Sequence, residues 1–224
     1  KETEGEPIIT RRAKAFKAIC EELPITIRPN ELIVGSNTKS PRSCQVFPEY
    51  SFDWVEAEFD TMETRSADPF HISEEAKQAL HEAYKYWGGK TTSELASSYM
   101  EEETLLAMKH NIFTPGNYFY NGIGHFTVKY WEVLEIGYEG IIAKAQAELD
   151  KLDIGDGDYG KRAAFLRAAI MSCQAAIDYA KRYALLALEE AQKESDPARK
   201  MELLKIAENC AKVPAKQAES FYEA

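Results

Sequence analysis

Residues 161–190 read KRAAFLRAAIMSCQAAIDYAKRYALLALEE, and this run decides the fold class. Leu166, Ala169, Cys173, Ile177, Ala180, Ala184, Ala187 and Ala191 return at spacings of three and four, the period of an α-helix with one apolar seam. No glycine or proline interrupts it from about Lys161 to Glu190. Alanine dominates the seam, which predicts close approach of neighbouring helices.

Working outward, Asp196-Pro197 supplies a cap acceptor and a first-turn proline, with Ser195 available to share the cap. Leu203, Ile206, Ala207 and Cys210 carry that helix toward Val213-Pro214. Ser220 to Ala224 read as the opening turns of one more helix, so the chain reads as truncated. Upstream, Trp131, Leu134, Tyr138, Ile141, Ala145 and Leu149 predict one continuous helix ending at the turn 153–157. Thr91 and Glu94 form a capping-box pattern opening a helix that carries Leu95, Tyr99, Leu105 and Met108. Ser73, followed by Glu74 and Glu75, opens another that Gly88-Gly89 stops after Trp87. Pro7 starts an amphipathic helix with Ile9, Ala13, Phe16, Cys20 and Leu23 on one face, ending near Pro24. From Arg28 to Ile72 the pattern breaks up, apart from the apolar run Leu32-Ile33-Val34 and one short helix around Phe52, Trp54, Val55 and Phe59. The chain reads as mainly α, with at most a few short strands.

The stretch Asn111-Ile-Phe-Thr-Pro-Gly-Asn-Tyr-Phe-Tyr-Asn-Gly-Ile-Gly-His125 lies between two of these helical patterns. Its glycines permit tight turns or close approach to a ligand, and Tyr118, Phe119 and Tyr120 can exclude water from whatever His125 touches. Local chemistry supports two readings: a ligand pocket, or a core-plugging loop whose histidine bonds a buried carbonyl. The pattern puts His125 at the start of the following helix, where the positive dipole end disfavours a charged imidazole and predicts a neutral, hydrogen-bonding one.

The formal net charge is -10 and the pI about 5.1, so polyanions are repelled and nucleic acid is excluded as an expected partner. No apolar run is long enough to span a bilayer and the first residues are polar, which predicts a cytoplasmic protein. The four cysteines read as small reduced core residues, Cys20, Cys173 and Cys210 on apolar helix faces; Cys44 sits near Arg42 in an irregular segment, where a favoured thiolate is the alternative to a plain filler. His71, His81, His110 and His125 lack metal-ligand spacing, and no phosphate-cradling or dinucleotide glycine motif occurs. No bound metal is expected.

Several segments, in this order, resemble the N-terminal region of pyruvate formate-lyase-like glycyl radical enzymes: Leu32-Ile33-Val34-Gly35, Pro41-Arg42, Ile72-Ser73-Glu74-Glu75 and Asn121-Gly122-Ile123-Gly124-His125. Within that superfamily, Pro24 to Arg28, Ser43 to Glu49 and Asn117 to His125 are most similar to the cobalamin-independent glycerol and propane-1,2-diol dehydratases. Residues 1–224 would then be a partial N-terminal domain, the helical part of a ten-stranded α/β-barrel fold. The resemblance implies a stored glycyl radical that generates a cysteine thiyl. The thiyl removes hydrogen from a diol carbon, the neighbouring hydroxyl leaves as water, and the product is an aldehyde. It also implies an S-adenosylmethionine radical activating enzyme as partner, anaerobic operation, no cobalamin and a homodimer of the full enzyme; association with a bacterial microcompartment is left open.

By the same resemblance His125 hydrogen-bonds a substrate hydroxyl and Asn117 lines the pocket. The Gly-Cys-x-Glu context of the family's radical cysteine and the Arg-Val-x-Gly-Tyr context of its radical glycine are absent, so no catalytic residue is expected here. This chain alone should be inactive, needing the remainder of the same polypeptide. Other readings are another glycyl radical carbon-oxygen or carbon-nitrogen lyase, a noncatalytic binding or regulatory module, and a structural helical bundle.

Overall fold

The computed structural model describes residues 2–38, 43, 45–113, 124 and 127–224. The chain divides into two compact units, one formed by Lys1–Ser43 with Val128–Ala224 and the other by Cys44–Thr127. Among the described residues the regular structure is helical, and the run Leu32-Ile33-Val34 forms no strand.

The first unit contains α1 (Ile8–Glu22), α6 (Tyr130–Asp150), α7 (Tyr159–Lys193) and α8 (Pro197–Lys212), with α1, α6 and α8 each packed on α7. The predicted seam is half right. Ile177, Ala184, Ala187 and Ala191 are buried, but so are Ala163, Ala168, Ala175 and Tyr183, whereas Leu166, Ala169, Cys173 and Ala180 are only half-buried. A single stripe serves one partner; a helix with three neighbours buries side chains around most of its circumference. At its C-terminal half Ala187 and Ala191 meet Leu203, Ile206 and Ala207 of α8, with Ile27, Val34 and Cys210 packed against them. The Asp196 carboxylate caps α8 by accepting from the Ala198 N–H (3.1 Å).

Residues 24–38 are irregular, and arginine side chains bond carbonyls of this segment and of the α1 end that precedes it. Arg182 donates to the Cys20 and Leu23 carbonyls at 2.5 and 2.8 Å, closing the C-terminal end of α1 with a cation. Arg199 donates to the Glu31 and Arg28 carbonyls (3.0 and 3.3 Å), and the Arg28 guanidinium to Ser36 Oγ and the Thr38 carbonyl (2.5 and 2.6 Å).

The helix expected to run unbroken from Trp131 to Leu149 is interrupted. Gly137 takes φ 62°, ψ 178°. The Tyr138 and Glu139 N–H groups donate instead to the Pro214 and Ala215 carbonyls (2.8 and 2.9 Å), and the Leu134 carbonyl accepts from the Ala218 N–H (3.2 Å). Three backbone bonds to the segment after α8 thus replace bonds along the helix. A Cβ on residue 137 would lie 2.3 Å from the Ala215 carbonyl oxygen, so only glycine fits both the dihedral and the crossing.

The second unit contains α2 (Asp53–Ala57), a 3₁₀ turn at Met62–Thr64, α3 (Glu74–Trp87), α4 (Thr92–Ser98) and α5 (Glu102–Lys109). Phe52 is fully buried, stacked on Tyr84 at 4.4 Å and meeting Phe59 edge-on at 6.3 Å. The Ser73 hydroxyl caps α3 by accepting from the Ala76 N–H (3.1 Å). The capping box forms as read: Thr91 Oγ accepts from the Glu94 N–H and the Glu94 carboxylate accepts from the Thr91 N–H, both at 3.2 Å. The next two N–H groups, of Thr92 and Ser93, donate to the Glu49 and Tyr50 carbonyls, so every donor of that helix start is paired. The single helix expected from Thr92 to Met108 is instead two, broken at 99–101. Tyr99 is 83% exposed there, and Glu102 and Glu103 open α5, where acidic groups suit the helix dipole.

Gly137→Ala is expected to destabilise the chain by about 2–4 kcal/mol through positive-φ strain and the clash with backbone; a denaturant titration with an unchanged midpoint would contradict the crossing. Thr91→Ala should cost about 1 kcal/mol. The Thr91 hydroxyl, with the Gly89 and Thr91 N–H groups and the Tyr84 hydroxyl, holds the Glu94 carboxyl below its ordinary value of 4.5. A depressed carboxylate contributes stability above its unfolded pKa and loses it as pH falls through the folded value. The Thr91→Ala penalty should therefore shrink between about pH 6 and pH 3, as read by thermal melts across that range.

Candidate functional site

Asn117 and His125, the two substrate-binding residues expected from the sequence, lie outside the described residues, as does Cys44. Gly124 is exposed, and a Cβ on it would meet nothing within 4 Å among the described residues.

Upstream of the loop, α5 ends in a compact stop. Asn111 adopts φ 53°, its N–H bonds the Met108 carbonyl (2.9 Å) and the Ile112 N–H bonds the Ala107 carbonyl (3.0 Å). This is the paired pattern that closes a helix through a left-handed residue, with asparagine in place of glycine. Downstream, α6 begins at Tyr130 after the non-helical residues 127–129, five positions beyond His125. The helix expected to start at His125 begins instead at Tyr130, and the inference of a neutral imidazole loses that support. Lys129 stands at the cap without a side-chain capping bond to the backbone, and Glu132 bonds both Lys129 and Lys144 (2.7 and 2.6 Å), which pulls its carboxyl down to about 2. The Lys144 bond spans the Gly137 break. Val128, Tyr130, Trp131 and Leu134 are exposed along this stretch.

His71 pairs with Glu63, and His81 lies 3.3 Å from Glu56 with its ring edge against Phe52 and Phe59. Among the described residues no group of three or more histidine, cysteine or acidic side chains converges as a metal site. Cys20, Cys173 and Cys210 sit on apolar faces as expected, and burial raises all three thiols. Burial also raises the Tyr138 phenol. These groups are packed, not activated. The glycine at 137 and the asparagine at 111 were the positions that sequence reasoning passed over. A lone glycine inside a helical pattern was the available signal for the first.

The pyruvate formate lyase-like family matches across residues 1–224. The chain belongs to that family. This pyruvate formate lyase-like chain is 58% identical, with a TM-score of 0.90, to a solved structure describing 1,2-propanediol dehydration in Roseburia inulinivorans, covering 99% of this chain and 26% of that one. It is 53% identical, with a TM-score of 0.89, to the glycerol-bound B12-independent glycerol dehydratase of Clostridium butyricum, covering 99% and 28%. It is 34% identical to the (2S)-3-sulfopropanediol dehydratase of Klebsiella oxytoca, covering 99% of this chain and 27% of the relative. The chain thus spans about a quarter of the length of these relatives, and its described regular structure, all of it helical, matches the helical part of the glycyl radical enzyme fold. No helix among the described residues is long and apolar enough to cross a membrane.

Cys20, Cys173 and Cys210 should react with a thiol reagent at neutral pH at least about tenfold more slowly in the folded chain than after denaturation. Peptide mapping resolves the three, and fast labelling of any one in the folded chain would reveal an activated thiol.

Proposed function

We propose that residues 1–224 are the N-terminal portion of a glycyl radical dehydratase that eliminates water from a small uncharged 1,2-diol, propane-1,2-diol or glycerol, to give an aldehyde. The observation that carries this reading is the identity of 58% and 53% to the propanediol and glycerol structures, against 34% to the dehydratase of a sulfonated diol. A sulfonate needs a cation or several donors in its pocket, whereas a diol needs hydrogen-bonding partners for two hydroxyls.

His125 is the residue of this chain proposed to bond a substrate hydroxyl, with Asn117 beside it. A neutral imidazole offers one donor and one acceptor and so orients a hydroxyl that must leave a defined carbon. Tyr118, Phe119 and Tyr120 are proposed to exclude water, which strengthens that bond. The glycyl radical, installed by an S-adenosylmethionine radical activating enzyme, supplies the hydrogen-atom chemistry from outside this segment, without cobalamin. The whole enzyme is proposed to be an anaerobic, cytoplasmic homodimer.

In the full-length parent, His125→Ala should lower kcat/KM for propane-1,2-diol and glycerol about 100-fold while shifting Tm little. Asn117→Ala should have a smaller effect. Unchanged kinetics for His125→Ala would sink the assignment.

A further inference from the structure

The first turns of α6 are held by one carboxylate. Glu132 takes Lys129 Nζ on one oxygen (2.7 Å) and Lys144 Nζ on the other (2.6 Å), and its side chain is 23% exposed against 59% and 63% for the two lysines. Lys129 is the residue from which the chain enters α6, and a cation there faces the positive end of the helix dipole with no side-chain cap to offset it. A glutamate in the first turn suits that dipole and neutralises the lysine, so Glu132 supports a helix start that local propensity opposes.

The Lys144 arm depends on the break at Gly137. Twelve residues of unbroken α-helix would carry residue 144 about 18 Å along the axis from residue 132, farther than a lysine and a glutamate can span. Only the turn at Gly137 (φ 62°, ψ 178°) lets them meet. Residues 130–136 are thus fixed against the second half of α6 by the Glu132 and Lys144 pair, and against the segment after α8 by the Leu134 carbonyl, which accepts from the Ala218 N–H (3.2 Å). His125 precedes Lys129 by four residues in the sequence.

We propose that Glu132 is a positioning residue for His125: bonded to lysines on both sides of the Gly137 break, it fixes the point and direction at which the chain enters α6 from the loop. Four residues of chain reach at most about 14 Å, so holding Lys129 limits where the imidazole can be placed against a substrate hydroxyl. Glu132 acts through His125 and needs no contact with substrate. The inference rests on the dehydratase reading, in which His125 bonds that hydroxyl.

The test is a double-mutant cycle in the activated full-length parent, read as kcat/KM for propane-1,2-diol. Glu132→Ala should lower it about tenfold, Lys144→Ala should lower it less, and Lys144→Arg, which keeps the cation, should recover most of what Lys144→Ala loses. In a His125→Ala background Glu132→Ala should cost nothing further, because the group it positions is gone; a purely structural role would cost the same factor in both backgrounds. Glycyl radical content by electron paramagnetic resonance and the thermal melt verify that each variant is activated and folds. If Glu132→Ala does not fold, Lys144→Ala, at a side chain 63% exposed, carries the same cycle. Additive losses, or unchanged kcat/KM in both Glu132→Ala and Lys144→Ala, would overturn the positioning role while an impaired His125→Ala leaves the dehydratase reading standing. Unchanged kinetics in His125→Ala would overturn that reading and this inference with it.

Discussion

One 35-residue helix, α7, must offer contact surface to three neighbours at once, and the first unit depends on that constraint. Helix axes approach closely only where the intervening side chains are small, so alanine fills the contact positions and also favours the helix itself. Each alanine buries little area. The larger contributions come from Ile177, Tyr183, Leu203 and Ile206, which fill the space between axes. Tyr183 shows the condition attached to a large buried side chain: its hydroxyl donates to the Ser36 carbonyl (3.3 Å), which also ties the irregular segment to α7.

The same unit illustrates how non-helical chain is accommodated. A buried carbonyl without a donor is costly, and where the chain leaves α1 Arg182 supplies donors to the Cys20 and Leu23 carbonyls, while within residues 24–38 Arg199 serves the Arg28 and Glu31 carbonyls and Arg28 that of Thr38. At Gly137 the exchange is backbone for backbone. In the second unit the carbonyls of Glu49 and Tyr50 take the free N–H groups of α4, and an otherwise irregular segment becomes the cap of a helix more than forty residues later.

What could be read from sequence follows from the range of these interactions. Ser73, Thr91 with Glu94, and Asp196 were legible because a cap is a contact over two or three residues. The breaks at Gly137 and at Tyr99 were not. Periodicity sees which residues could share a face, whereas the first break is set by a strand of backbone that returns about eighty residues later. Arg199 was equally opaque, since it reaches a carbonyl 168 positions away. Of the candidate site, His125 and Asn117, which lie outside the described residues, rest on family resemblance alone, because the local chemistry of the loop suits a pocket and a core plug alike.

Charge adds a last level of organisation. Many of the chain's cations are engaged one helical turn from an acid: Lys77 with Glu74, Lys85 with Glu82, Lys151 with Glu148, Lys181 with Asp178, Lys193 with Glu190 and Lys205 with Glu208. Each such surface pair contributes little to stability. Their collective effect is on the field, because a paired lysine cannot offset the excess of acids elsewhere on the surface. Lys161 has Asp158 one turn before it, within reach of the same rule, whereas Arg12 has no acid three or four residues away on α1.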